Sequence, residues 1–189
     1  GQIVSSESHV YCGRCYQCRL NQTHICADDR IIGVSRDGCF AEYIKLPAKV
    51  LWPTDTEKVA FEVAAIQEPF GNAVHACTRV DFRGKTVGIF GTGTIGLFAL
   101  LIAKPLGAAR VIGIDPLPER RELALRLGAD QVIPVRKAGL AEFAADPDMI
   151  RAVRDCTGGV GFDVALEMSG FNASLNNAIQ STRRGGDVV

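Results

Sequence analysis

The 189-residue sequence predicts an α/β protein: a doubly wound parallel sheet, preceded by a smaller, mostly-β unit that carries a four-cysteine lobe. Three observations predict it. From Lys85 onward, short runs of β-favouring residues alternate with helical stretches, the pattern of βαβ units around a parallel sheet. A glycine-rich turn, GTGTIG, separates the first of those runs from its helix. Four cysteines fall close together as CGRCYQCRLNQTHIC, residues 12 to 26.

Taken in order, IVSSESHV within residues 1–10 reads as a short strand leading into the cysteine loop. GCFAEYIKL, 38 to 46, alternates well enough for another strand, with Phe40, Tyr43 and Ile44 as bulky β-formers. TEKVAFEVAAI, 56 to 66, predicts a helix with an apolar stripe through Val59, Val63 and Ile66. Pro69 and Gly71 are expected to break it, with a second helical stretch from Asn72 to Val80. The turn-rich DFRG, 81 to 84, marks the expected boundary between a first domain (1–80) and a second (81–189).

In the second part, 86–91, 109–115, 131–135 and 162–170 read as strands, and GDVV begins a fifth. Helices are predicted over 94–106, 118–127, 141–157 (interrupted at Pro147) and 173–182. Pro105 is expected to shorten or kink the first of these, since it removes an intrahelical bond.

Composition narrows the function classes. Lys and Arg number 21 and so do Asp and Glu, so the formal net charge is zero. A sequence-independent nucleic-acid surface needs a basic excess. The longest apolar run, Ile95 to Ala103, is too short for a membrane span of ~20 residues. No leader with a cleavage site opens the sequence, so an intracellular, cytoplasmic protein is expected.

The seven cysteines are an odd number, which argues against a disulfide framework. Cys12, Cys15, Cys18 and Cys26 have the spacing C-x2-C-x2-C-x7-C. Short spacers let thiolates turn inward around one ion, and four of them close a tetrahedral zinc site with no open position. An iron–sulfur run of the bacterial type would put three residues and a following proline around the fourth cysteine; here seven residues precede Cys26 and Ala27 follows. His24 is a polar loop residue in this reading, and Cys39, Cys77 and Cys156 are small buried hydrophobes.

Gly91, Gly93 and Gly96 form G-x-G-x-x-G after a strand and at the start of a helix, the signature of a Rossmann-type dinucleotide fold. Thr94 opens that helix, whose N-terminal amides face a diphosphate. Asp115 ends the next strand, where an acidic side chain accepts from the adenine-ribose hydroxyls and repels a 2′-phosphate. NAD is therefore preferred to NADP. Arg120 either accommodates such a phosphate or brackets the adenosine.

The cysteine lobe followed by this motif, together with DGCFAEYIKLPAKVLW, QEPFGNAVHA and GTGTIGLFA, resembles the zinc-containing medium-chain dehydrogenases. The resemblance implies a partial GroES-like catalytic domain ahead of a partial NAD domain. It implies NAD-dependent oxidation of the L-threonine β-hydroxyl to 2-amino-3-oxobutanoate; the alternatives are a related polyol, diol or secondary-alcohol dehydrogenase, or a non-catalytic NAD- and zinc-binding module. It makes the four cysteines structural-zinc ligands, and Ile95, Asp115 and Arg120 cofactor contacts. Glu68 matches an acidic residue beside the catalytic metal, with a proton-relay or transient-ligand role, although a carboxylate before Pro69 could equally cap the next helix. A homo-oligomer, a tetramer by resemblance, and a small-molecule substrate are expected. The family's catalytic-metal Cys and His-Glu pair match nothing in this sequence, so it reads as the middle portion of a longer enzyme.

Overall fold

A computed structural model describes residues 1–136 and 141–189, which fall into two compact units, Gly1–Glu68 and Pro69–Val189. In chain order the first holds β1 (Val4–Ser6), β2 (His9–Val10), α1 (Tyr16–Arg19), β3 (Arg30–Ile31), β4 (Leu51–Pro53), α2 (Phe61–Ala64) and the first residues of α3 (Gln67–Cys77). Two antiparallel pairs organise it. β1 lies against β4 with Ser5 opposite Trp52, and β2 against β3 with His9 opposite Ile31.

Four expectations fail here. Residues 38–46 form no strand: Phe40 and Tyr43 are fully or almost fully exposed, and no strand pairs with the segment among the described residues. Strand propensity is realised only through cross-strand packing, so β-forming side chains alone do not impose it. The helix expected over 56–66 shrinks to the four residues of α2, and Val63 and Ile66 of the expected apolar stripe are exposed. Pro69 does not break the next helix but sits in the first turn of α3, where the amide it lacks would have had no intrahelical partner. Cys39 is also exposed, not a buried hydrophobe.

The units divide at Glu68, earlier than the DFRG junction expected from sequence. The reason is packing: Ala73 and Cys77 of α3 are fully buried in the second unit's core with Phe82.

That second unit continues with β5 (Thr86–Phe90), α4 (Thr94–Ala103), β6 (Arg110–Ile114), α5 (Pro118–Arg126), β7 (Gln131–Ile133), α6 (Pro147–Cys156), β8 (Phe162–Glu167), α7 (Asn172–Ser181) and β9 (Thr182–Val188). The sheet is wholly parallel in the order β7-β6-β5-β8-β9. β5 and β6 are buried on both sides, as expected of a sheet covered by helices. One core cluster joins Val87, Ile89 and Leu166 to Leu100 and Ala103 of α4; the other joins Phe90, Ile112 and Ile114 to Met149 and Val153 of α6. Phe90 and Phe162 meet edge to face at 5.9 Å, and a Cβ on Gly88 would lie 2.4 Å from the Phe162 ring.

Prolines set the element ends. α4 stops at Ala103, ahead of Pro105. β7 stops before Pro134. Pro147 starts α6 instead of interrupting a helix from 141, because Asp146 caps it by accepting from the amides of Asp148 and Met149. Among the described residues no helix is long and apolar enough to cross a membrane.

Candidate zinc lobe and dinucleotide crevice

The lobe is built from tight turns. Gly13 and Asn21 both have positive φ, at 78° and 59°, a region that glycine enters freely and asparagine tolerates. The four sulfurs of Cys12, Cys15, Cys18 and Cys26 all lie within 4.8 Å of one another. Those of Cys15 and Cys26 are 3.9 Å apart, against an edge of roughly 3.8 Å for a tetrahedron of 2.3 Å zinc–sulfur bonds. Backbone amides point at the sulfurs: Arg14 and Cys15 donate to Cys12, Cys18 to Cys15, and Cys12 and Asp28 to Cys26. Such donors favour thiolate over thiol.

The amides of Cys18 and Ala27 accordingly bring Cys15 down to about 6, and those of Arg14 and Cys15 lower Cys12. Partial desolvation, reinforced by the neighbouring thiols, pushes Cys18 up to about 12. A dication held by the four sulfurs would supply the charge that lets all of them ionise. His24 lies in the turn Thr23–Ile25 and is not one of the four donors. Lys49 stacks on the Tyr11 ring at 4.2 Å and donates to the Tyr11 carbonyl, holding the chain that enters the lobe.

Glu68 is half-buried in the first turn of α3, and its Oε1 accepts from the Ser8 hydroxyl at 2.7 Å. Its place in the first turn suits the helix dipole. The sequence reading missed His9, whose Nδ1 pairs with Asp29 while its side chain stays 40% exposed. The β2–β3 register makes that pairing, and no local motif announces it.

In the second unit the sheet reverses direction of winding at β5, which has β6 on one side and β8 on the other. The crevice beyond the carboxyl ends of such strands is where open α/β sheets bind ligands. The glycine turn lies there. Gly91 has φ of 89°, and a Cβ on it would strike Ser169 at 2.7 Å. A Cβ on Gly96 would come within 1.9 Å of the Gly91 carbonyl oxygen, so that glycine seats α4 on the turn. Gly93 is the N-cap of α4 with no side-chain cap, and only Arg120 Nη1, at 3.7 Å, approaches the space its Cβ would fill. Thr94, Ile95 and Gly96 form the first turn of α4, whose amides have no intrahelical acceptor and are available to an anion.

Asp115 is more enclosed than its sequence position suggested. It is 1% exposed; Oδ2 accepts from the Thr92 amide at 2.8 Å and Oδ1 from the Leu117 amide at 2.9 Å. Arg120 lies over it with Nη1 3.9 Å from Oδ2, and Arg121 donates to its carbonyl. Each carboxylate oxygen keeps a second lone pair beyond its amide donor, with the half-exposed Arg120 over it. The Thr92 hydroxyl beside it is buried with no partner. An orphaned hydroxyl and a cradle open only at Gly93 fit a dinucleotide.

The chain belongs to the zinc-binding dehydrogenase family. Residues 94–189 match the zinc-binding dehydrogenase model, and residues 1–56 match the alcohol dehydrogenase GroES-like domain. Over 187 residues it is 40% identical to the L-threonine 3-dehydrogenase of Caldanaerobacter subterraneus, covering 98% of this chain and 51% of that protein. Among solved structures it is similar to an alcohol dehydrogenase from Thermus sp. ATN1 (TM-score 0.84, 29% identity, 100% of this chain and 54% of that one). A short chain alcohol dehydrogenase from Escherichia coli, complexed with NADH, is likewise similar (TM-score 0.84, 26% identity, 100% and 53%). The chain spans about half the length of the curated relatives it matches.

Proposed function

We propose that this chain supplies the structural-zinc lobe and the nucleotide-binding fold of a NAD-dependent zinc dehydrogenase that oxidises L-threonine to 2-amino-3-oxobutanoate. The observation that carries the redox reading is the Gly91–Gly96 turn at the switch point, with Asp115 at the end of the adjacent strand. The substrate reading rests on the threonine dehydrogenases it resembles. Bound NAD supplies the hydride acceptor. The chain's residues bind and orient it: the first-turn amides of α4 take the pyrophosphate and Asp115 the adenine ribose, with Ile95 and Arg120 flanking. Cys12, Cys15, Cys18 and Cys26 hold zinc with no vacant position, so that ion is structural. Glu68, kept in place by Ser8, takes the part of the family's acidic residue beside the catalytic metal, as proton relay or transient ligand.

NADH and NADPH titrations of the chain, read by nucleotide fluorescence, test the cofactor reading. NADH should bind more tightly, because the Asp115 carboxylate repels a 2′-phosphate. Asp115→Ser should cost NADH about tenfold, the worth of a hydrogen bond to a charged group, and should narrow or reverse the preference. Equal affinity for both nucleotides in the unaltered chain would make Arg120 a phosphate ligand and remove the argument for NAD.

A second expectation concerns turnover. The 189-residue polypeptide should bind NADH yet oxidise no threonine, even with zinc added. Among the described residues the four cysteines are the only group of three or more side chains placed to hold a metal, and Glu68 alone falls short of the three protein ligands usual in a catalytic zinc site. Threonine-dependent NADH formation by the purified polypeptide would show that its own residues complete the catalytic centre.

A further inference from the structure

Opposite the glycine turn, the end of β8 and the start of α7 are joined by Met168, Ser169, Gly170 and Phe171. The Met168 amide donates to the Phe90 carbonyl at 2.8 Å, extending the β5–β8 ladder to the rim of the crevice. Ser169 then lies against Gly91 so closely that only glycine fits there. One carboxylate ties this turn. Glu167 Oε1 accepts from the Ser169 amide at 2.9 Å and from its hydroxyl at 2.5 Å, and Oε2 accepts from the Gly170 amide at 3.2 Å. The Ser169 hydroxyl oxygen in turn accepts from the Phe171 amide at 3.3 Å. Gly170, at φ of 74°, has open space where a Cβ would be.

The position of this turn gives it a ligand-facing role. A dinucleotide in such a fold lies across the switch point with its pyrophosphate on the glycine turn. Asp115 puts the adenosine half on the β6 side, so the other half must lie on the β8 side, against Ser169 and Gly170. We propose that Glu167 is a positioning residue for the nicotinamide half of the dinucleotide: by holding three donors of the Ser169–Gly170 turn, it fixes the wall on which that half rests. This rests on the dinucleotide reading of the crevice. Glu167 does no chemistry in it, since its carboxylate is committed to the turn.

Glu167→Gln tests the role with little change of shape. The glutamine oxygen can replace one carboxylate oxygen, but its NH2 then faces an amide donor, so at least one bond is lost and replaced by a donor–donor contact. The chain and its variant are titrated with NADH and with ADP, and their melting temperatures compared. NADH affinity should fall about tenfold while ADP affinity stays within about twofold, because ADP occupies only the adenosine side. Ser169→Ala, which removes the hydroxyl and with it the acceptor of the Phe171 amide but spares both amide bonds to Glu167, should weaken NADH about threefold with ADP again unchanged; it carries the test if Glu167→Gln does not fold. Equal losses for both ligands, or no loss for either, would make Glu167 a purely structural turn residue and overturn the proposal. An unaltered chain that binds neither ligand would instead remove the dinucleotide function, and this role with it.

Discussion

Replacing Cys15 with serine should strip the chain of its one zinc and open residues 12–26 to trypsin, while leaving the parallel sheet folded. In small zinc domains the metal contributes on the order of 10 kcal/mol to folding, because its site does not exist in the unfolded chain. The lobe has little else to hold it: neither α1 nor the turn Thr23–Ile25 contains a fully buried residue. Cys15 has two roles there, since its sulfur also caps α1 by accepting from the Cys18 amide. The cleavage sites are Arg14 and Arg19, both within the loop that the metal closes. Residues 69–189 carry their own core clusters and should melt as in the unaltered chain. Acidification should release metal in the same way, because protons compete for thiolates. Elemental analysis and limited proteolysis check this together: iron in place of zinc, or unchanged metal content and cleavage in Cys15→Ser, would refute a four-thiolate zinc site.

The parts of this molecule legible from sequence are those set by local chemistry. The cysteine spacing made the cluster legible because short spacers let four thiolates turn inward around one ion, and the four sulfurs do lie together. The buried runs TVGIF and RVIGI became the paired central strands β5 and β6, since a continuous apolar run between helices can satisfy both faces only inside a covered sheet. What escaped depended on distant partners. GCFAEYIKL has the side chains of a strand and no neighbour to pair with among the described residues. Pro69 read as a breaker because its place relative to the helix start was not visible, and one turn decides whether a proline costs a bond. The compact units divide at Glu68 and not at the DFRG turn because Ala73 and Cys77, unremarkable in sequence, are core residues of the second.

The same distinction runs through the candidate sites. The sequence singles out Asp115 by its spacing from the glycine turn. Its enclosure is not visible there, because it arises from two amides and an arginine that the β5–β6 pairing brings to it. Glu167 and Ser169 carry no motif of their own, and become meaningful only when β8 is laid beside β5. His9 and Asp29 lie twenty residues apart and meet through the short β2–β3 ladder.

Gly96→Ala should lower the melting temperature of the second unit by about 10 °C and weaken NADH binding at least tenfold. The added methyl would sit 1.9 Å from the Gly91 carbonyl oxygen and 3.4 Å from Ile89 Cγ2, and the first of these is backbone that cannot rotate away. Overpacking of a tight core ordinarily costs about 1–3 kcal/mol, and a rigid partner puts this case at the upper end. For a unit of this size that corresponds to roughly 10 °C. Binding suffers because relief requires α4 to lift from the turn, carrying the first-turn amides away from the pyrophosphate position. Gly93→Ala is the matched control: its Cβ would meet nothing closer than Arg120 Nη1 at 3.7 Å, so it should fold normally while obstructing the open cradle. Thermal melting and NADH titration of both variants separate the two glycines. Gly96 should lose stability and binding together, Gly93 binding alone. A Gly96→Ala chain with unchanged melting would show that α4 does not seat on Gly91 as the structure places it.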